Sequence, residues 1–473
     1  MKKIFSVLLS VVMVFGFCVN TTAKAIMFTP SSFEVHSAAA ILLNLDTKEV
    51  LYQKNADTQY MPGALVQIME AIVVLENCPN LSMHITVDPT LYTNIETPYP
   101  EDIRYADFRE GDTFTVEELL YAIMLTSSSE AAITLANQFG NGSIPNFVAM
   151  MNDKAADLGC TQTKFTNVTG IYDVAQKTTA NDMALIMEYA MSNGKFESIA
   201  TSPAFTPYSP NLDRHEEGWT WAHSNLMVQP TSEFYMEEAK GIKTANLTQQ
   251  GRNIIVEASK DGNNFLAILL AAPFNDKEDN LQFYHMEDAE NLFNWVFYHF
   301  SFRTILSENT ELGQISVKNG EGVDYVLVRP EKSFGTLWYD MADVISITQD
   351  VELEESVSAP VKEGQKLGTV TLKYSGEELA TLNLVATSSV ELSKFRYYLA
   401  LAKHFPKTSW LTWAIVLSSM FGLIYIVICV YFYMQYQNRK KAPVYLRPNS
   451  FEIRKEARKE EQPKKKKAKP KNS

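Results

Sequence analysis

Cysteine is scarce in this chain, with 4 in 473 residues. Spread over Cys18, Cys78, Cys160 and Cys429, they exclude a small disulfide-stapled scaffold and supply no paired-cysteine zinc motif. Histidine is thin as well: the 7 residues are scattered and form no Cys/His cluster. Neither a metal site nor a cofactor is therefore expected. No internal repeat occurs, and no low-complexity stretch precedes the C-terminal tail, which sets aside repeat arrays. Basic residues are in deficit, 42 Lys and Arg against 55 Asp and Glu, for a net charge of −13.

That deficit is uneven. From Arg439 onward there are 14 basic and 4 acidic residues, and the first 25 residues contain three lysines and no acid. With both ends set aside, the remainder carries about −26. A segment that acidic is a poor partner for nucleic acid or anionic lipid, so no nucleic-acid binding is expected.

The two ends explain the asymmetry. Met1-Lys2-Lys3, an apolar run from Ile4 to Phe17 and the small-x-small Ala23-Lys24-Ala25 make residues 1–25 a secretory signal peptide. Residues 410–433 carry no charge, and as a helix they reach about 36 Å, enough to cross a hydrocarbon core of about 30 Å. A single transmembrane helix is predicted over 410–434, with Trp410, Trp413, Tyr431, Tyr433 and Tyr436 near its two ends. Arg439-Lys440-Lys441 follows at once, which assigns the basic tail 439–473 to the cytoplasm, its Lys464 to Lys467 run against the inner leaflet. The expected location is the cell membrane, single-pass, with an extracytoplasmic ectodomain. Of the cysteines, only Cys78 and Cys160 face the exterior. They read as two isolated buried thiols, with pairing left open by their spacing.

About 380 residues between leader and anchor are too many for one ordinary core, and two domains are expected. Over 35–303, strands and helices mix. Ala39 to Leu45 reads as a strand, Asp46-Thr47-Lys48 as a turn and Val50-Leu51-Tyr52 as the return strand. Leu65, Ile68, Met69 and Ile72 recur at helical spacing, as do Leu119, Leu120, Ile123 and Met124 behind the acidic turn Val116-Glu117-Glu118. Strands return at Ile254 to Ala258 and Phe265 to Leu270, so strands from both ends of this region are expected to share one sheet with the helices between. Over 310–393 short β-branched runs broken by Gly and Pro predict a small all-β domain. A helical neck over 394–408 leads to the anchor.

The run Ala40-Ile41-Leu42-Leu43-Asn44-Leu45-Asp46-Thr47, then Val50 to Asp57, then Pro62 opening a helix, resembles the D-alanyl-D-alanine carboxypeptidase family of low-molecular-weight penicillin-binding proteins. The likeness continues through Leu119 to Ala122, Ser127 to Ala132, Met151 to Ala155 and Phe165 to Gly170, and resumes at Gly241-Ile242-Lys243-Thr244. Val361 to Gly368 resembles the family's C-terminal domain. The resemblance implies an α/β fold: a penicillin-binding, β-lactamase-like head of antiparallel sheet with a helical subdomain, plus the small β domain. It also implies a serine-type peptidase site facing peptidoglycan stem peptides that end in D-Ala-D-Ala.

In that family three motifs meet in one cleft. Ser-x-x-Lys supplies the nucleophile and, one helical turn on, its base. Ser-x-Asn relays protons and holds the substrate amide. Lys-Thr-Gly grips the terminal carboxylate, and its Gly leaves the backbone bare. Here every motif departs. The nucleophile position is Ala64 and the base position Gln67, neither of which can do that chemistry. The second motif reads Ser127-Ser128-Ser129, and the third Lys243-Thr244-Ala245. The resemblance therefore implies no functional catalytic residue, with Ser127, Ser129, Lys243 and Thr244 left as candidate substrate-binding groups. The other Ser-x-x-Lys, Ser192-Asn193-Gly194-Lys195, reads as a helix stop. Three functions stay open: a silent homologue that binds stem peptide or an envelope protein, an active carboxypeptidase with displaced catalytic groups, and a head held at the membrane purely to dock a partner.

Overall fold

The structure is a computed structural model that describes residues 28–208, 215, 219–404 and 409–440. The signal peptide expected over 1–25 and the tail beyond Lys440 lie outside the described residues.

Five antiparallel strands form the central sheet: β1 (Ala39–Asn44), β2 (Val50–Lys54), β3 (Ala239–Leu247), β4 (Gly251–Lys260) and β5 (Asn263–Ala272), in the spatial order β2-β1-β5-β4-β3. Ala39 pairs with Leu270 and Asn44 with Phe265, so the two ends of the head do share one sheet. β1 is buried on both faces, as its unbroken apolar run requires. Successive side chains on a strand point to opposite faces. Ala39, Ile41 and Leu43 accordingly enter one core, beneath the helical subdomain, and Ala40 and Leu42 enter the other, beneath helix Tyr284–His299.

The helical subdomain contains α1 (Val66–Asn77), α2 (Val116–Tyr121), α3 (Ser129–Phe139), α4 (Ile144–Asp157), α5 (Ala180–Met191) and α6 (Gly194–Ala200). Each start has a local cause. Thr115 and Glu118 form a reciprocal capping box at α2. Ser128 caps α3, Thr179 caps α5 and Asn193 caps α6, each accepting from a first-turn N–H.

Beyond the head, strands Phe300–Leu306 and Phe334–Tyr339 pair with each other. A six-stranded sheet places Ile347–Leu353, Lys366–Tyr374, Glu377–Ala386, Tyr325–Pro330, Gly313–Lys318 and Ser356–Ser358 side by side in that order. This is the small C-terminal β domain. Thr336 donates to Glu49 at 2.6 Å, which ties it to the β1–β2 turn.

The described residues divide into two compact units, the second made of 317–324, 358–360 and the described residues from Val390 onward. In that unit Arg396, on helix Lys394–His404, pairs with Asp324. Helix Ser409–Lys440 follows, and it is long and apolar enough to cross a membrane.

Candidate functional site

The first motif sits on a tight turn ahead of α1. Gly63 has φ +57°, a left-handed conformation that favours glycine, and a Cβ there would meet the Ala245 methyl at 3.0 Å. Loop 165–170 lies on this turn so closely that a Cβ on Gly170, at φ +78°, would fall 2.3 Å from the Gly63 carbonyl oxygen. From below, Asn253 Nδ2 donates to the Met61 and Pro62 carbonyls at 3.1 and 3.0 Å. Gln250 exchanges two 2.7 Å hydrogen bonds with the Met61 backbone. The turn that presents Ala64 is thus held from both sides, although its side chain is only a methyl.

One turn on, Gln67 is fully buried. Its Nε2 donates to the Ser127 and Ser128 carbonyls at 3.3 and 3.4 Å, while its Oε1 has no partner. At the base position, then, stands an amide that braces the second motif. Ser127 ends a π-type turn, Ala122–Thr126, at φ +62°, which is strained for a residue with a Cβ. Ser128 is spent on capping α3 and on Glu130 Oε2 at 3.2 Å. Ser129 lies in the first turn of α3, buried, and does not line the cleft.

The third motif lies on β3. Lys243 is fully buried, and its Nζ donates to the Met124 carbonyl at 3.3 Å and to Ser127 Oγ. Thr244 Oγ1 shares a 2.7 Å hydrogen bond with Ser224 Oγ. The structure thus brings Ala64, Gln67, Ser127, Lys243 and Thr244 together and leaves Ser129 aside.

Two further groups belong to the cluster and carried no motif. Glu70, one turn beyond Gln67 on α1, is completely buried, and neither carboxylate oxygen has a partner. Burial pushes its pKa well above the usual carboxylate range, with the charge of Lys243 pulling the other way. Lys243 mirrors it: burial lowers its pKa to about 7, and Glu70 opposes that shift. His223 accepts from Asn225 N–H at Nδ1, so its Nε2 is the protonated nitrogen and faces the Ala200 carbonyl at 3.2 Å. Burial, and next the charge on Lys243, lower its pKa to about 4, leaving a neutral imidazole. The sequence did hold a signal for Glu70, the only charge between Leu65 and Leu75. Nothing local marked His223 or Ser224.

Above this cluster lies a cavity of about 80 Å³, with Ala64, Arg104, Ser127, Gly170, Ser224 and Thr244 in its wall. A closed cavity of about 150 Å³ holds one benzene, so the walled part of this cleft is smaller than that. A roomier depression of about 430 Å³ beside Ile72, Glu76, Tyr189 and Phe196 carries no nucleophile and base: Tyr189 donates to Glu76, which pairs with Lys154 at 2.6 Å. Nor do Ser192 and Lys195 form such a pair. Ser192 Oγ donates to Tyr189 O at 2.6 Å, and Lys195 Nζ binds Glu117 at 2.9 Å. Cys78 and Cys160 are buried free thiols.

A family model described as D-alanyl-D-alanine carboxypeptidase matches residues 26–273, and one described as penicillin-binding protein 5, C-terminal domain, matches 300–392. D-alanyl-D-alanine carboxypeptidase DacF of Bacillus subtilis (strain 168) is 26% identical over 402 residues, 84% of this chain and 97% of that protein. DacC of Escherichia coli (strain K12) is 26% identical over 389 residues, 80% of this chain and 91% of its own length. Among solved structures, D-alanyl-D-alanine carboxypeptidase DacD from Francisella tularensis has the same fold, with a TM-score of 0.59 at 18% identity over 80% of this chain and 99% of that one. With the first family model spanning more than half of its residues and the second covering the β domain, the chain belongs to the D-alanyl-D-alanine carboxypeptidase family.

Proposed function

We propose that this chain is a catalytically silent member of its family, anchored in the bacterial cell membrane with its head on the peptidoglycan side and its basic tail in the cytoplasm. It acts by binding and does not cut. The observation that carries the reading is the pair Ala64 and Gln67: a methyl at the nucleophile position, and at the base position an amide already committed to two backbone carbonyls. Loss of a serine nucleophile costs about 10⁶ in turnover in the well-measured subtilisin case, or about 8 kcal/mol of transition-state stabilisation. Between the two candidate ligands, a cavity of about 80 Å³ and a Lys243 spent on Ser127 and Met124 weigh toward an envelope protein rather than stem peptide.

The test is labelling of the full chain with a fluorescent penicillin. No covalent band is expected. A peptide ending in D-Ala-D-Ala is likewise expected to bind the parent and Lys243→Ala chains equally weakly. Clear binding by the parent that Lys243→Ala abolishes would return the stem peptide as ligand.

One observation favours a second reading, an active enzyme with displaced groups. Ser127 Oγ accepts a hydrogen bond from Lys243 Nζ at the wall of the cleft, and Lys243 loses its proton near pH 7. A neutral lysine beside a serine hydroxyl is a workable nucleophile and base. A penicillin band that strengthens above pH 7 and vanishes in Ser127→Ala would establish it and overturn the silent reading.

A further inference from the structure

We infer that Glu70 is the counter-charge that holds Lys243 inside the head, which makes Lys243 a positioning residue for the Ser127 turn instead of a grip for a ligand carboxylate. The inference rests on the silent reading of the cleft and explains why the lysine survives there.

The two elements reach the same turn from different directions. From α1, Gln67 Nε2 meets the Ser127 and Ser128 carbonyls. From β3, Lys243 Nζ meets Ser127 Oγ and the Met124 carbonyl. Glu70 follows Gln67 by three residues and so shares its face of α1. All three side chains are completely buried. Lys243 uses two of its three ammonium protons, while both Glu70 oxygens and Gln67 Oε1 are unspent. A buried ammonium without a counter-charge is strongly disfavoured, as is a buried carboxylate.

The other ionisable groups around the turn are already committed. Glu130 accepts from Ala106 N–H, Phe108 N–H and Ser128 Oγ. His223 is neutral, hydrogen-bonded at both nitrogens, and would repel rather than balance a cation if it were charged. Asp102, in the cleft wall, spends Oδ1 on Thr248, whereas neither oxygen of Glu70 is hydrogen-bonded. The placement of Glu70 has no local cause, since it interrupts an apolar run on the stretch Val66 to Val74, all of which is buried.

The test is a charge-removal cycle on the full chain in detergent. Urea midpoints are measured for the parent, Lys243→Met, Glu70→Leu and the double variant, and the titration of Lys243 is followed by NMR with ¹³C-labelled lysine in the parent and in Glu70→Gln. Each single variant is expected to unfold at lower urea, and the double variant at higher urea than the two losses summed would allow. The Lys243 titration midpoint is expected to fall in Glu70→Gln. Additive losses, or an unmoved midpoint, overturn the inference. So does a Lys243→Met chain that keeps the parent midpoint yet loses binding of a D-Ala-D-Ala peptide. Should a single variant fail to fold, the double variant and the Glu70→Gln titration still decide. A penicillin band, by contrast, would refute the silent reading without touching the stability cycle.

Discussion

Ala64 and Gln67 put a methyl and an amide where the family motif has Ser and Lys, and beside them Glu70 and Lys243 set how the cluster responds to pH. Burial drives both toward neutrality and their mutual attraction drives both back. Glu70 is raised above its ordinary 4.5, so the folded state binds more protons than the unfolded one above that value, and stability falls as pH rises toward the folded pKa. Lys243 is lowered from 10.5 to about 7, so between those values the unfolded state holds the extra proton and stability rises with pH. Glu70→Gln is predicted to remove the first slope and Lys243→Met the second, as read from urea midpoints at stepped pH. At neutral pH Lys243→Met, which strands Glu70, is expected to cost about 3–5 kcal/mol. At this scale the sequence was legible wherever a motif position held the wrong atom. The family likeness already put Ser127 and Lys243 in one cleft, but nothing in the sequence said that Lys243 Nζ would be spent on Ser127 Oγ and the Met124 carbonyl.

Among the elements, starts and turns were the readable part. The acidic turn ahead of Leu119 announced a helix, and the structure supplies the reason in the Thr115 and Glu118 capping box. Thr115→Ala is predicted to destabilise the head by about 1 kcal/mol in chemical unfolding. In the sequence, loop 165–170 stands out only by its likeness to the family. In the fold it presses on the Gly63–Ala64 turn, and a Gly170→Ala methyl would meet both a left-handed backbone and the Gly63 carbonyl. That substitution is expected to cost more than about 1 kcal/mol, measured the same way, and more than Thr115→Ala. The sequence could not expose this contact, since a glycine in a loop has many possible causes and the neighbour it touches lies more than a hundred residues away.

For the molecule as a whole, the helix Ser409–Lys440, long and apolar enough to cross a membrane, is the feature with the plainest consequence. The full chain is predicted to stay with membranes through a high-salt wash, and a chain ending at residue 393 to be released. A full-length chain washed off by salt would sink that expectation. The sequence by itself determined the family likeness, the alternation of strand and helix patterns, the one uncharged span and the absence of a nucleophile at Ala64. Each of these is a property of residue identity or short-range periodicity, which needs no partner to be read. Tertiary structure alone decided that β1 pairs with β5, that Gly170 closes over the turn, that the cleft holds a cavity of about 80 Å³ and that Lys243 turns inward to Ser127 and the Met124 carbonyl. Those are contacts between distant segments, and their energies come from burial and hydrogen bonding that exist only once the chain is folded.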